Sequence, residues 1–283
     1  MNVRKLLIIT TLLIVSGCTY KFAYRNLDWL AYWYIDDFIL LTTEQKTIVD
    51  QKLEVWLTWH KQEELPRYLA NLNELTTDIS MQQLNLEKLT YHQEAIRQHW
   101  VRMKAKLIPD LVRMAPLLDK QQVSYLFDKL DKKNATEREE IEANLAFSQN
   151  QQKKNAIKKY KKNLTRWLGK LTPEQKTLTE GMYSLLQSND VLWLEYRKRY
   201  QAELKTLFEN PDRGDDFSKN LFQLLMEPDV FRGDELNQIN TDNSANFKSF
   251  LLNMNTLATE KQREKLIKEI NKFARDADTL MQK

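Results

Sequence analysis

Four short runs, each a helix-capping residue followed three positions later by glutamine, constrain this chain more than any other feature. Leu41-Thr42-Thr43-Glu44-Gln45 and Leu171-Thr172-Pro173-Glu174-Gln175 are complete copies. Leu118-Asp119-Lys120-Gln121-Gln122 is looser, and Thr259-Glu260-Lys261-Gln262 keeps only the cap and the glutamine. Each has the form of a capping box. The Thr or Asp oxygen accepts the N–H of the third helical residue, whose side chain reaches back to the cap's own N–H. Pro173 stands at a first helical position, where a missing N–H costs nothing. The accompanying hydrophobic staple fits only Leu118 with Val123. These boxes predict helix starts near 43, 120, 173 and 260, and their unequal spacing argues against a strict solenoid repeat.

Only 5 glycines and 6 prolines occur in 283 residues, so long helices joined by short connections are expected. Apolar periodicity places helices over 26–40, 44–79 with a kink at Pro66, 86–114, 136–168 ending at Gly169, 173–209 with a break near Ser188-Asn189, 216–226 and 244–257. A final amphipathic helix turns Leu266, Ile270, Phe273 and Leu280 inward. The stretch 209–243, rich in Pro, Gly, Asp and Asn, is the best candidate for loops, and no strand is predicted. Cys18 is the only cysteine, so packing alone must hold the fold. The expected class is all-α: an elongated multi-helix bundle of long amphipathic helices, without disulfides, over 26–283, with a possible subdivision near 117–170.

The N-terminus carries a different signal. Arg4-Lys5, the apolar run Leu6 to Val15, and Ser16-Gly17-Cys18 have the form of a lipoprotein export signal, with cleavage between Gly17 and Cys18. The apolar run spans about 15 Å as a helix, half the hydrocarbon thickness, so it is too short for a permanent span. Residues 1–17 are then a signal peptide, and 18–25 a lipidated end and short tether. The protein is expected to meet the membrane through acyl chains on Cys18. An ordinary secretory signal with a chance cysteine is the plainer alternative. Thr19, where an aspartate would favour inner-membrane retention, implies the periplasmic face of the outer membrane, with that of the inner membrane as the alternative. The formal charge of +4 loses Arg4 and Lys5 with the signal. That near balance, together with export, argues against a nucleic-acid partner.

Tyr24-Arg25-Asn26-Leu27-Asp28-Trp29, Trp33-Tyr34-Ile35-Asp36-Asp37-Phe38, Leu41 to Gln45, and Trp59-His60-Lys61-Gln62-Glu63-Glu64-Leu65-Pro66-Arg67-Tyr68 follow in order behind the cysteine. In that order they resemble a family of Gram-negative lipoproteins known only as a domain of unknown function. The resemblance implies an envelope lipoprotein and carries no catalytic residue to transfer. Leu41 to Gln45 and Leu171 to Gln175 are also similar to the L-T-x-x-Q motifs of small helical periplasmic stress chaperones, which implies client or partner binding.

Several residues are candidates for a site. Asp37 falls between Leu30, Trp33 and Tyr34 at 100° per residue, so it is expected on the apolar side, paired with Arg25, Arg67 or Arg97. His60 and Glu64, four apart, share a helix face and could orient a general base or simply fasten the helix. The aromatics from Phe22 to Tyr34 suit the headgroup depth of a bilayer or a core. Lys153, Lys154, Lys158, Lys159, Lys161, Lys162 and Arg166 lie in an acid-free stretch that could meet an anionic surface. Glu137, Glu139, Glu140 and Glu142, at the opening of the same predicted helix, supply a plainer account through the helix dipole. The histidines His60, His92 and His99 have no metal-ligand spacing, and no phosphate loop or nucleophile motif occurs; no cofactor or metal is expected. The reading is a non-catalytic binding, scaffold or chaperone-like module. Its alternative is an envelope enzyme acting on peptidoglycan or lipid through Asp37, His60 or Glu64.

Overall fold

The computed structural model describes residues 26–282, and every regular element among them is helical. In chain order these are α1 (Leu27–Asp36), α2 (Thr43–Trp59), a π-helical turn (His60–Glu64), α3 (Leu65–Ser80), α4 (Leu86–Met114), α5 (Lys120–Leu145), α6 (Gln149–Leu168), α7 (Pro173–Leu185), α8 (Asp190–Glu209), α9 (Asp215–Met226), α10 (Asp234–Thr256) and α11 (Glu260–Met281). Short 3-10 turns occupy Ala115–Leu117 and Pro228–Phe231. The fold is all-α, as scarce turn formers and helical periodicity imply.

Four of these helices open on the predicted boxes. Thr42, Thr172 and Thr259 each accept the third residue's N–H at 3.3 Å, and Asp119 does so at 2.8 Å. The glutamines return the bond to the caps at 2.9–3.0 Å. The kink expected at Pro66 takes the form of the π-helical turn just upstream. Proline has no N–H to give the preceding turn, and the wider turn absorbs the loss.

Several boundaries differ from expectation. The predicted helix over 136–168 is two helices. Ser148 accepts the Gln151 N–H and starts α6 afresh, without any glycine or proline to mark the break. The helix expected over 244–257 begins at Asp234, where Asp234 and Glu235 suit the positive end of its dipole, so 209–243 is less a loop than its composition suggests. α1 stops at Asp36, short of the expected residue 40.

Packing divides the chain into two compact units. The described residues of the first are 26–62, 99–140 and 190–233, and those of the second are 63–98, 141–189 and 234–282. In the first, Ile108, Val112, Val123 and Leu221 surround Phe127, Phe208 and Phe217, whose rings meet edge to face at 6.2 and 5.2 Å. In the second, Leu168, Leu171, Met182, Phe250 and Met254 form the core, and α11 packs along α3 and α6.

Each unit contains two capping boxes, and their glutamines meet. In the first, Gln45 Nε2 donates to Gln122 Oε1 at 3.1 Å, and Gln122 Nε2 returns the bond at 2.6 Å. In the second, Gln175 and Gln262 exchange bonds of 2.8 and 2.9 Å. Each amide also donates to the carbonyl two residues before its partner's cap: Gln45 to Leu117, Gln122 to Leu40, Gln175 to Leu257 and Gln262 to Lys170. With the bond from its own cap N–H, every amide has both hydrogens and both lone pairs in use. The box alone accepts glutamate or glutamine. Only glutamine has the N–H groups for this exchange.

Candidate functional site

α1 is fastened to the first unit by Tyr32, whose hydroxyl shares its proton between Asp50 Oδ1 at 2.6 Å and the Lys46 carbonyl at 3.0 Å. Burial and the Asp50 carboxylate push that hydroxyl's pKa up. Trp29 and Trp33, one turn apart, are 59% and 67% exposed. Asp37 is not the buried carboxylate expected. Asp37 keeps right-handed helical dihedrals (φ −67°, ψ −23°), but the face it shares with Trp33 and Tyr34 is itself exposed. Its side chain is 48% exposed and meets Lys133 at 3.0 Å and Lys129 at 3.7 Å. The Lys133 hydrogen bond holds its carboxyl below the usual range. Arg25, Gly17 and Cys18 lie outside the described residues. Arg67 meets Glu63 and Glu64, and Arg97 meets Glu94.

His60 opens the π-helical turn, with its ring 6.4 Å from that of Trp59, and Glu64 closes the turn fully buried. Three carboxylates unremarked in the sequence are deeply set, Asp78, Asp110 and Asp276, and the first two have charged partners. In the first unit, Asp110 is reached by Lys52 at 2.9 Å, by Trp56 Nε1 at 3.0 Å and by Arg113; burial raises its pKa, but these donors bring it down to about 2. In the second, Asp78 meets His92 Nε2 at 2.9 Å and Lys88. Burial opposes the charge, yet the Lys88 and His92 bonds leave its pKa lowered. No signal in the sequence separates these two from surface acids, because their partners come from other turns and helices. A groove beside α8 and α9 is lined by Glu203, Leu207, Gln223, Leu224, Glu227 and Phe231, and Asp37, His60 and Glu64 are not among its lining residues. Among the described residues no cluster of His, Cys, Asp or Glu has the form of a metal site, and no helix is long and apolar enough to cross a membrane.

The break at Ser148 changes the account of the basic stretch. Glu137, Glu139, Glu140 and Glu142 lie on or beside the end of α5, whereas Lys153 to Arg166 all lie on α6, which contains no acid. The dipole of one helix therefore cannot explain both groups. Leu164, Trp167 and Leu168 hold α6 against its core, and Trp167 lies 6.1 Å from Phe273. Gly169, at φ +83°, ends the helix, and Lys265 donates to the Thr165 carbonyl at 3.3 Å. Lys161 meets Glu180 at 2.6 Å and lowers that carboxyl's pKa. Lys154, Lys158, Lys159, Lys162 and Arg166 are exposed.

Residues 37–236 match the model of a family of unknown function (DUF6279). The chain belongs to this family. The match to DUF6279 begins at Asp37 and runs through three of the four capping boxes, α6 and the start of α10, and it brings no assigned activity. No curated protein and no solved structure matches the chain.

Proposed function

We propose that this DUF6279 member is a lipoprotein of the outer membrane's periplasmic face, anchored by acyl chains on Cys18, whose helical units bind an envelope component without catalysing a reaction. The observation that carries the reading is the exposed Trp29–Trp33 edge of α1, which begins eleven residues after Cys18. The segment from Cys18 to Asn26 reaches at most about 28 Å when fully extended, so α1 would lie close to the headgroups, the depth that Trp and Tyr favour. The likeness to L-T-x-x-Q chaperones supports partner or client binding as the role.

Intact-mass measurement on the protein from its native membrane tests the anchor. The expected result is loss of residues 1–17 and a mass increment of acyl chains at Cys18. An unprocessed, unacylated terminus would overturn the reading. For the client-binding version, the soluble protein should suppress aggregation of an unfolded client without ATP, and no suppression in several-fold excess counts against it.

A further inference from the structure

We infer that the exposed ridge of α6 docks on the anionic face of a lipid bilayer. Lys154, Lys158, Lys162 and Arg166 follow one another at i, i+4 spacing, with Lys159 beside them, and all are exposed. They cover about 18 Å of helix. Among the described residues no carboxylate stands within ion-pairing distance of these side chains, whereas Lys161, at the edge of the ridge, is taken by Glu180. Like charges at this spacing weaken a helix, and α6 has no acid in its first turn to offset them through the dipole. Arg166, in the last turn, gains from the dipole, but the rest of the ridge costs stability, as expected of a surface that serves an anionic partner.

The form of the ridge selects the partner. Its cations stand side by side along a straight helix and do not converge on one point, so they suit a repeating layer of charge better than a single phosphate. Tyr160 and Trp167 are half-buried toward the unit, so the ridge has no exposed ring on which a nucleic-acid base could stack. Anionic headgroups attract Lys and Arg additively, by about five-fold in partitioning for each cation near the surface. The inference rests on the lipoprotein reading only for the nearness of a membrane.

A chain beginning at Thr19 keeps every described residue and cannot be acylated, so its behaviour is independent of the Cys18 anchor, which intact mass reports separately. In sedimentation with vesicles it should bind phosphatidylcholine mixed with phosphatidylglycerol, not phosphatidylcholine alone, and release at high salt. Lys158→Gln/Lys162→Gln should weaken that binding by about 25-fold. Lys158→Glu/Lys162→Glu should weaken it further while melting no lower than the parent chain, since two of the three repulsive i, i+4 pairs become attractive and the third stays like-charged. Equal binding to neutral and anionic vesicles, undiminished binding by either variant, or capture by a soluble anionic polysaccharide without vesicle binding would each overturn the inference.

Discussion

The two glutamine clasps share one bonding scheme and differ in their surroundings. Gln175 is fully buried and Gln262 is 4% exposed, whereas in the first unit Gln122 is 6% exposed and Gln45 only half-buried. A hydrogen bond exchanged for one to water contributes little net stability, while a buried polar group left unpaired costs its full desolvation. The same motif should therefore be a mild fastening in the first unit and a condition of folding in the second.

Gln175→Glu separates the two cases most sharply. The carboxylate still serves its own capping box, but loses the N–H groups given to Gln262 and the Leu257 carbonyl, and it buries a charge. We expect a loss of about 3–5 kcal/mol in the second unit, read by hydrogen exchange at 171–182 and 257–270. Gln45→Glu should cost about 1 kcal/mol in the first unit, because water can reach the orphaned Leu117 carbonyl. Equal losses would show that burial does not set the strength of the clasp.

A double-mutant cycle refines the contrast. Gln175→Leu and Gln262→Leu each strand a buried amide, whereas the double replacement removes both, so the double should cost less than the sum of the singles by about 1–2 kcal/mol. The corresponding cycle at Gln45 and Gln122 should show a coupling below about 1 kcal/mol.

The helix starts were legible in the sequence because a capping box is local: cap, spacing and glutamine all lie within four residues. The pairing of Gln45 with Gln122 and of Gln175 with Gln262 spans 77 and 87 positions and leaves no local trace. One clue was present. A glutamine stands at all four third positions, where glutamate would cap as well. The Ser148 break went unseen because a serine cap needs neither glycine nor proline. The break puts the glutamates on α5 and the acid-free stretch on α6, so one helix dipole no longer balances them. Asp37 shows a different limit: periodicity marks which residues share a face, but the face of Trp33, Tyr34 and Asp37 is exposed rather than buried.

Acid offers a control on the contrast, because each unit holds a deeply set aspartate whose pKa is lowered, with equally exposed side chains, 9% for both Asp110 and Asp78. Both have pKa values lowered in the folded protein, so the unfolded chain binds the proton more readily. Their stabilisation is present above the ordinary carboxylate range near about pH 4 and is lost as pH falls through the folded value, about 2 for Asp110. Urea midpoints followed over that range should fall for both units together, in contrast to the unequal response to the glutamine replacements. Asp110→Asn should flatten the acid response of the first unit and leave that of the second intact. If acid spared the first unit of the parent chain, the fastening by Lys52, Trp56 and Arg113 would be refuted.

The smallest effects provide the reference against which the clasps are judged. Thr42 and Thr172 make the same cap bond, 3.3 Å to the N–H of the third residue, and neither hydroxyl takes part in the exchange between glutamines. Thr42→Ala and Thr172→Ala should each cost about 1 kcal/mol, within a few tenths of one another. Local hydrogen exchange at the starts of α2 and α7 is the measurement. Similar losses would mean that the second unit is not simply more sensitive to any damage at a helix start. The larger penalty of Gln175→Glu would then belong to the buried amide pair itself. A markedly greater loss for Thr172→Ala would instead locate the difference in the unit as a whole, and the burial argument for the clasps would fall.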